Sequence, residues 1–174
     1  MADDPELQHT VDVFELARTG GDVAGELPIR EADRLAPMLA RTEGVLRYRA
    51  WFGTDEHGRP SARFLWSATL AARCDRCGAP VEVDVGADAR FYFVRTEEEL
   101  NALPIEPDEA EEPLVGSRSF DLDALVEDEA ILSLPLAPRH SRCGDDADLE
   151  GGADQRSART PAFAALARLR SGKR

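Results

Sequence analysis

From Gly44 onward the chain alternates between apolar and polar residues. In GVLRYRAWFG, Leu46, Tyr48, Ala50 and Phe52 fall on one side, with Arg47 and Arg49 on the other. Successive side chains of a strand point to opposite faces, so this pattern predicts a half-buried β-strand. The run ARFLWSATLAAR repeats it, with Phe64, Trp66, Ala68, Leu70 and Ala72 on one face and Arg63 and Arg73 on the other. TDEHGRP between the two runs has turn composition, and the pair reads as an antiparallel hairpin. A third run, PVEVDV, sets Val81, Val83 and Val85 against Glu82 and Asp84, and extends past Gly86 into ARFYFV. The segment CDRCG therefore falls at a turn between two strands.

The flanks follow other rules. VAGELPI reads as a strand, and READRLAPMLAR as a short helix that Pro37 kinks or divides. Residues 96–119 are acidic and proline-bearing without a clear period, which predicts a long surface loop with a helical turn near Glu97–Leu100. FDLDALVEDEAILSL reads as a helix with Asp121 as N-cap and Asp123 favourable in the first turn. Leu122, Leu125, Val126, Ala130 and Leu132 share its apolar face, Glu129 falls inside that face, and Pro135 and Pro138 end it. Residues 141–159 are rich in Gly, Asp, Ser and Arg and read as a flexible linker. TPAFAALARLR has Thr160 as N-cap and Pro161 at the first helical position. A helix of that length is marginal alone, so Phe163 and Leu166 call for a docking surface. The expected organisation is one α+β domain over 1–140, then the linker 141–159, then a short helix over 160–174. The domain is an antiparallel sheet or partly open barrel with one or two packing helices.

Charge divides the chain unevenly. The net charge is −13. Residues 97–129 hold thirteen acids and one base, hence −12, and residues 155–174 hold six bases and no acid, hence +6. A uniformly acidic protein repels nucleic acid, but an acidic surface beside a basic tail can hold a basic partner or bring its own ends together. No run approaches the roughly 20 apolar residues of a membrane span, and MADDPELQHT lacks the apolar core of a secretory signal. Three cysteines argue against a disulfide framework and agree with a reducing compartment. The expected location is the cytoplasm.

Three groups of residues could carry chemistry. Cys74 and Cys77 precede Gly78 and a valine-alternating strand. Thioredoxin-like pairs open a helix instead, so this setting favours a zinc knuckle over a redox dithiol. A structural zinc needs four ligands, and His140 with Cys143 could complete a Cys3His set; otherwise the thiols are simply unligated neighbours. His9 and His57 neighbour no cysteine. Arg47, Arg49, Arg63 and Arg73, with Arg76 at the turn, could form a phosphate-contacting sheet face or pair with the protein's own acidic loop. Glu127 and Asp128 read as a solvated face, and Glu129 as a core carboxylate that needs a partner such as an arginine. No nucleophile–base set, phosphate-binding loop or HExxH motif is present, so a non-enzymatic role is expected.

The run LVEDEAILSLPLAPRHSRC, preceded by CDRCGAP and followed by TPAFAALARLR, resembles the YceD family. The likeness spans about residues 20–170 and departs from the family pattern at Ala162, inserted between Pro161 and Phe163. It singles out Cys74, Cys77, Glu127, Asp128, Glu129, Pro135, Pro138, His140 and Cys143. The resemblance implies a ribosome biogenesis factor supporting synthesis, processing or stability of 23S ribosomal RNA. It brings no enzymatic activity, and the genes of the family commonly neighbour that of a small basic large-subunit ribosomal protein. The expected partners are therefore such a protein or a pre-ribosomal particle, engaged through Glu127, Asp128, Glu129, Phe163 and Leu166, with ribosomal RNA contacted directly or indirectly. Two alternatives stand beside it: a metal-dependent RNA-processing enzyme using Glu127 and Asp128, and a Cys-x-x-Cys oxidoreductase.

Overall fold

A computed structural model describes residues 10–104 and 111–143. The elements in chain order are β1 (Thr10–Val11), α1 (Val13–Thr19), β2 (Asp22–Pro28), two single 3-10 turns (Ile29–Glu31 and Ala36–Met38), β3 (Val45–Thr54), β4 (Pro60–Arg73), β5 (Pro80–Val94), α2 (Glu97–Asn101), β6 (Glu112–Val115), β7 (Phe120–Asp121) and α3 (Leu122–Ser133). The described residues up to Arg139 form one compact unit, and a second begins at His140. The expected C-terminal helix, with Phe163 and Leu166, lies outside the described residues, as does the expected linker beyond Cys143.

The architecture is α+β. Five strands lie in the order β2-β3-β4-β5-β6, and β1 pairs with β7 apart from them. Among the described residues the sheet is open, ending at β2 and β6, and does not close into a barrel. All its pairs are antiparallel except β5 with β6, which is parallel. The alternation along β3 and β4 is realised in the expected sense. Leu46, Tyr48, Ala50 and Phe52 are buried, as are Phe64, Trp66 and Leu70, and the register sets Tyr48 opposite Trp66 and Ala50 opposite Phe64. Helix α1 packs on β3 and β4, and α3 on β3 and β5. In the core, Tyr48 stacks on Phe64 and Phe91 tilts against Phe64, with ring centroids 5.7 and 6.3 Å apart. Offset aromatic contacts of this kind add to simple area burial.

Two segments differ from expectation and one helix was not predicted, each for a physical reason. Residues 30–41 form no continuous helix. The backbone N–H groups of Arg34 and Leu35 donate to the Glu127 carboxylate at 2.7 and 3.0 Å instead of to a preceding turn, and Ala32, Leu35 and Leu39 are buried as anchors. Helix α1 sits in a stretch, TVDVFELART, whose first residues alternate like a strand. Its signals are caps: Asp12 Oδ1 accepts from Phe14 and Glu15 N–H, and Gly20 closes the helix at φ 70°. Strand β6 lies within the acidic proline-bearing run. It survives Pro113 because it is an edge strand, where a missing N–H breaks no inner ladder.

Candidate metal centre

The turn joining β4 to β5 is tight. Cys74 N–H donates to the Ala79 carbonyl and Gly78 N–H to the Cys74 carbonyl, both at 2.9 Å. Gly78 has φ 74°, a left-handed conformation that a side chain disfavours. Cys74 continues the inward row of Leu70 and Ala72 and is buried, while Cys77 is exposed. No helix starts at the pair, so the feature that activates a redox Cys-x-x-Cys is missing from this turn.

A second segment is tied to the same turn from sixty residues on. After α3 the chain runs through Pro135 and Pro138, and the Pro138 carbonyl accepts the Asp75 N–H at 2.8 Å. The Arg139 guanidinium donates to Asp75 Oδ2 at 2.7 Å. One ligand atom each from Cys74, Cys77, His140 and Cys143 lies within 4.8 Å of every other. Cys74 and Cys143 are buried and His140 is half-buried. Zinc bound by thiolate at about 2.3 Å and imidazole at about 2.0–2.1 Å needs neighbouring ligand atoms roughly 3.5–4 Å apart in a tetrahedron. The cluster is compatible with that spacing after small side-chain adjustments, and its soft ligands suit zinc.

The sheet arginines are engaged locally. Arg47 bonds Glu26 at 2.8 Å, Arg49 bonds Asp22 at 2.7 Å, and Arg63 bonds Asp88 at 2.8 Å. Their carboxylates come from β2 and β5, not from the acidic stretch 97–129. Arg49 and Arg63 also flank the Trp51 ring, at 5.2 and 5.6 Å. Arg73 and Arg76 are exposed beside Cys74 and Cys77 at the β4–β5 turn.

The acidic triplet divides differently from expectation. Glu127, not Glu129, is the buried carboxylate that meets an arginine. Its Oε1 accepts both backbone N–H groups of the 34–35 segment, and its Oε2 accepts from Arg34 Nε at 2.9 Å. Burial works to raise the Glu127 pKa, but the N–H groups of Leu35 and Arg34 and the guanidinium outweigh it and hold the carboxyl below its ordinary range. Arg34 also bridges to exposed Asp128. With both carboxylates engaged by Arg34, the pair resembles a structural clamp more than a catalytic metal ligand set. Glu129 is half-buried, and burial followed by the nearby Glu112 raises its pKa.

The contribution of Asp75 and Arg139 was not anticipated. The available signal was their position, between the two cysteines and directly before the histidine. Among the described residues, no helix is long and apolar enough to cross a membrane.

Comparison with known proteins follows the same region. A family model described as "Large ribosomal RNA subunit accumulation protein YceD" matches residues 63–170, which contain all four clustered ligands and α3. A Haemophilus influenzae protein of that name is 26% identical over 138 residues, covering 78% of this chain and 77% of its own length. No solved structure matches the chain.

Proposed function

The chain belongs to the YceD family of large ribosomal RNA subunit accumulation proteins, and on that premise we propose that it is a non-catalytic, cytoplasmic ribosome biogenesis factor held in shape by one structural zinc. The observation that carries the reading is the convergence of Cys74, Cys77, His140 and Cys143. Four protein ligands close a zinc's coordination shell and leave no position for water or substrate, which is the arrangement of structural rather than catalytic sites. The zinc would clamp the β4–β5 turn to the segment that follows α3. Cys74 and Cys143 would bind as thiolates from buried positions, Cys77 and His140 from the solvent side. Zinc with three thiolates carries one net negative charge, and Arg139, held by Asp75, stands beside the ligand His140.

The protein would act by binding. The exposed acids of α2, Glu97, Glu98 and Glu99, with Glu112 and Asp128, offer a surface for a basic large-subunit ribosomal protein or a pre-ribosomal particle. Affinity purification from lysate, with and without nuclease, tests this reading. Large-subunit proteins or ribosomal RNA should co-purify, and recovery of neither would refute it. Cleavage of precursor ribosomal RNA by the purified chain, lost on Asp128→Ala, would favour a processing enzyme instead. Metal analysis should find about one zinc per chain, reduced by Cys74→Ser and by His140→Ala; folded protein without metal would end the zinc assignment.

A further inference from the structure

One cleft of about 640 Å³ opens where α1 meets the ends of β3, β4 and β5, and three arginines line it: Arg18, Arg95 and Arg118. Its two lining carboxylates are already committed. Asp12 Oδ1 caps α1 through the N–H groups of Phe14 and Glu15, at 3.1 and 3.0 Å. Glu15 holds Arg18 in a two-pronged pair at 2.9 and 2.6 Å. Arg95 lies 4.7 Å over the Phe14 ring, and among the described residues neither it nor Arg118 forms an ion pair. Both are exposed.

This is the reverse of the sheet face, where Arg47, Arg49 and Arg63 each meet a carboxylate. In a chain of net charge −13, two guanidiniums that line one cleft and form no ion pair among the described residues are conspicuous, and the cleft's three arginines outnumber its two carboxylates, Asp12 and Glu15. Like charges brought together repel, and an anion between them removes that repulsion. The planar guanidinium fork suits phosphate oxygens, and the Phe14 ring beneath Arg95 adds a cation–π contact at the cleft wall.

We infer that the cleft lined by Arg18, Arg95 and Arg118 is a binding site for the phosphodiester backbone of ribosomal RNA. Arg95 and Arg118 supply the direct contacts, and Arg18, shared with Glu15, supports them. The assignment of the phosphate to RNA rests on the proposed function above. It assigns direct RNA contact to this cleft rather than to Arg47, Arg49 and Arg63 on the sheet.

The test uses full-length protein and transcribed large-subunit ribosomal RNA, with affinity measured by filter binding across a potassium chloride series. Arg95→Ala/Arg118→Ala should weaken binding by about 10-fold or more at low salt. It should also lower the slope of log affinity against log salt by about 1.4, the loss of two phosphate contacts on a single strand. Arg47→Ala/Arg49→Ala should change neither by as much, and circular dichroism confirms that both variants fold. Unchanged affinity and slope in the cleft variant, or a larger loss in the sheet variant, would overturn the assignment. So would wild-type protein that binds no RNA. That last result leaves the proposed function standing if large-subunit proteins still co-purify after nuclease treatment, so the two failures are distinguishable.

Discussion

Replacing Glu127 should expose how α3 is fastened to the rest of the sheet domain. Its Oε1 accepts from Arg34 N and Leu35 N at 2.7 and 3.0 Å, and its side chain is 9% exposed. Glu127→Ala strands both donors, and Leu35 is fully buried. Each buried, unsatisfied N–H costs about 1–3 kcal/mol. The Arg34 side chain is 50% exposed and keeps Asp128, so it adds little. The loss should total about 3–4 kcal/mol, within the range for breaking a buried ion pair. Glu127→Gln is the informative comparison. Its amide oxygen can replace Oε1 and keep both backbone bonds, while its amide N–H₂ meets the guanidinium as donor against donor. That should cost only about 1–2 kcal/mol. Urea denaturation at pH 7, followed by tryptophan fluorescence, measures both. The pH dependence has a definite sign. The folded Glu127 pKa lies below its ordinary 4.5, so its stabilisation is complete above that value and is lost as pH falls through the folded pKa. The gap between wild type and Glu127→Gln should therefore close in acid. Equal costs for the two variants, or costs under about 0.5 kcal/mol for both, would refute the clamp.

Glu129 should behave in the opposite sense. Burial raises its folded pKa, so it lowers stability as pH rises from its ordinary value through the folded one; Glu129→Gln should be the more stable protein at pH 7, with the advantage gone at pH 3 in parallel thermal melts. Gly78→Ala forces a side chain into φ 74° and should cost about 1–2 kcal/mol, with weaker zinc retention against a chelator titration. On the proposed zinc assignment, Cys143→Ser should release zinc to the chelator at far lower concentration than wild type, whereas Ser141→Ala, between His140 and Cys143 but exposed, should not.

Much of this protein is written in local pattern. Alternation over 44–53, 62–73 and 80–94 specified three long strands and their inward faces, because strand side chains must alternate whatever they pack against. Asp121 and the two prolines marked the ends of α3, because caps and missing N–H groups act within a few residues. Cys74, Cys77, His140 and Cys143 were recognisable as ligand types, and Gly78 as the residue for a left-handed turn. Other features depend on partners distant in the chain. Helical period puts Glu129 on the apolar face of α3 and Glu127 and Asp128 outside it, and the order of Glu127 and Glu129 is reversed when α3 docks. Its rotation against the 32–35 segment, not its composition, turns Glu127 toward two backbone donors and leaves Glu129 half-buried. The 3-10 turns replace a helix for the same reason, since a carboxylate from 93 residues away takes the N–H groups a helix would have used. Pairing of β6 with β5, the tie of Pro138 and Arg139 to Asp75, and the gathering of Arg18, Arg95 and Arg118 in one cleft arise likewise. Each joins segments whose separation no local period encodes, so each was settled by packing.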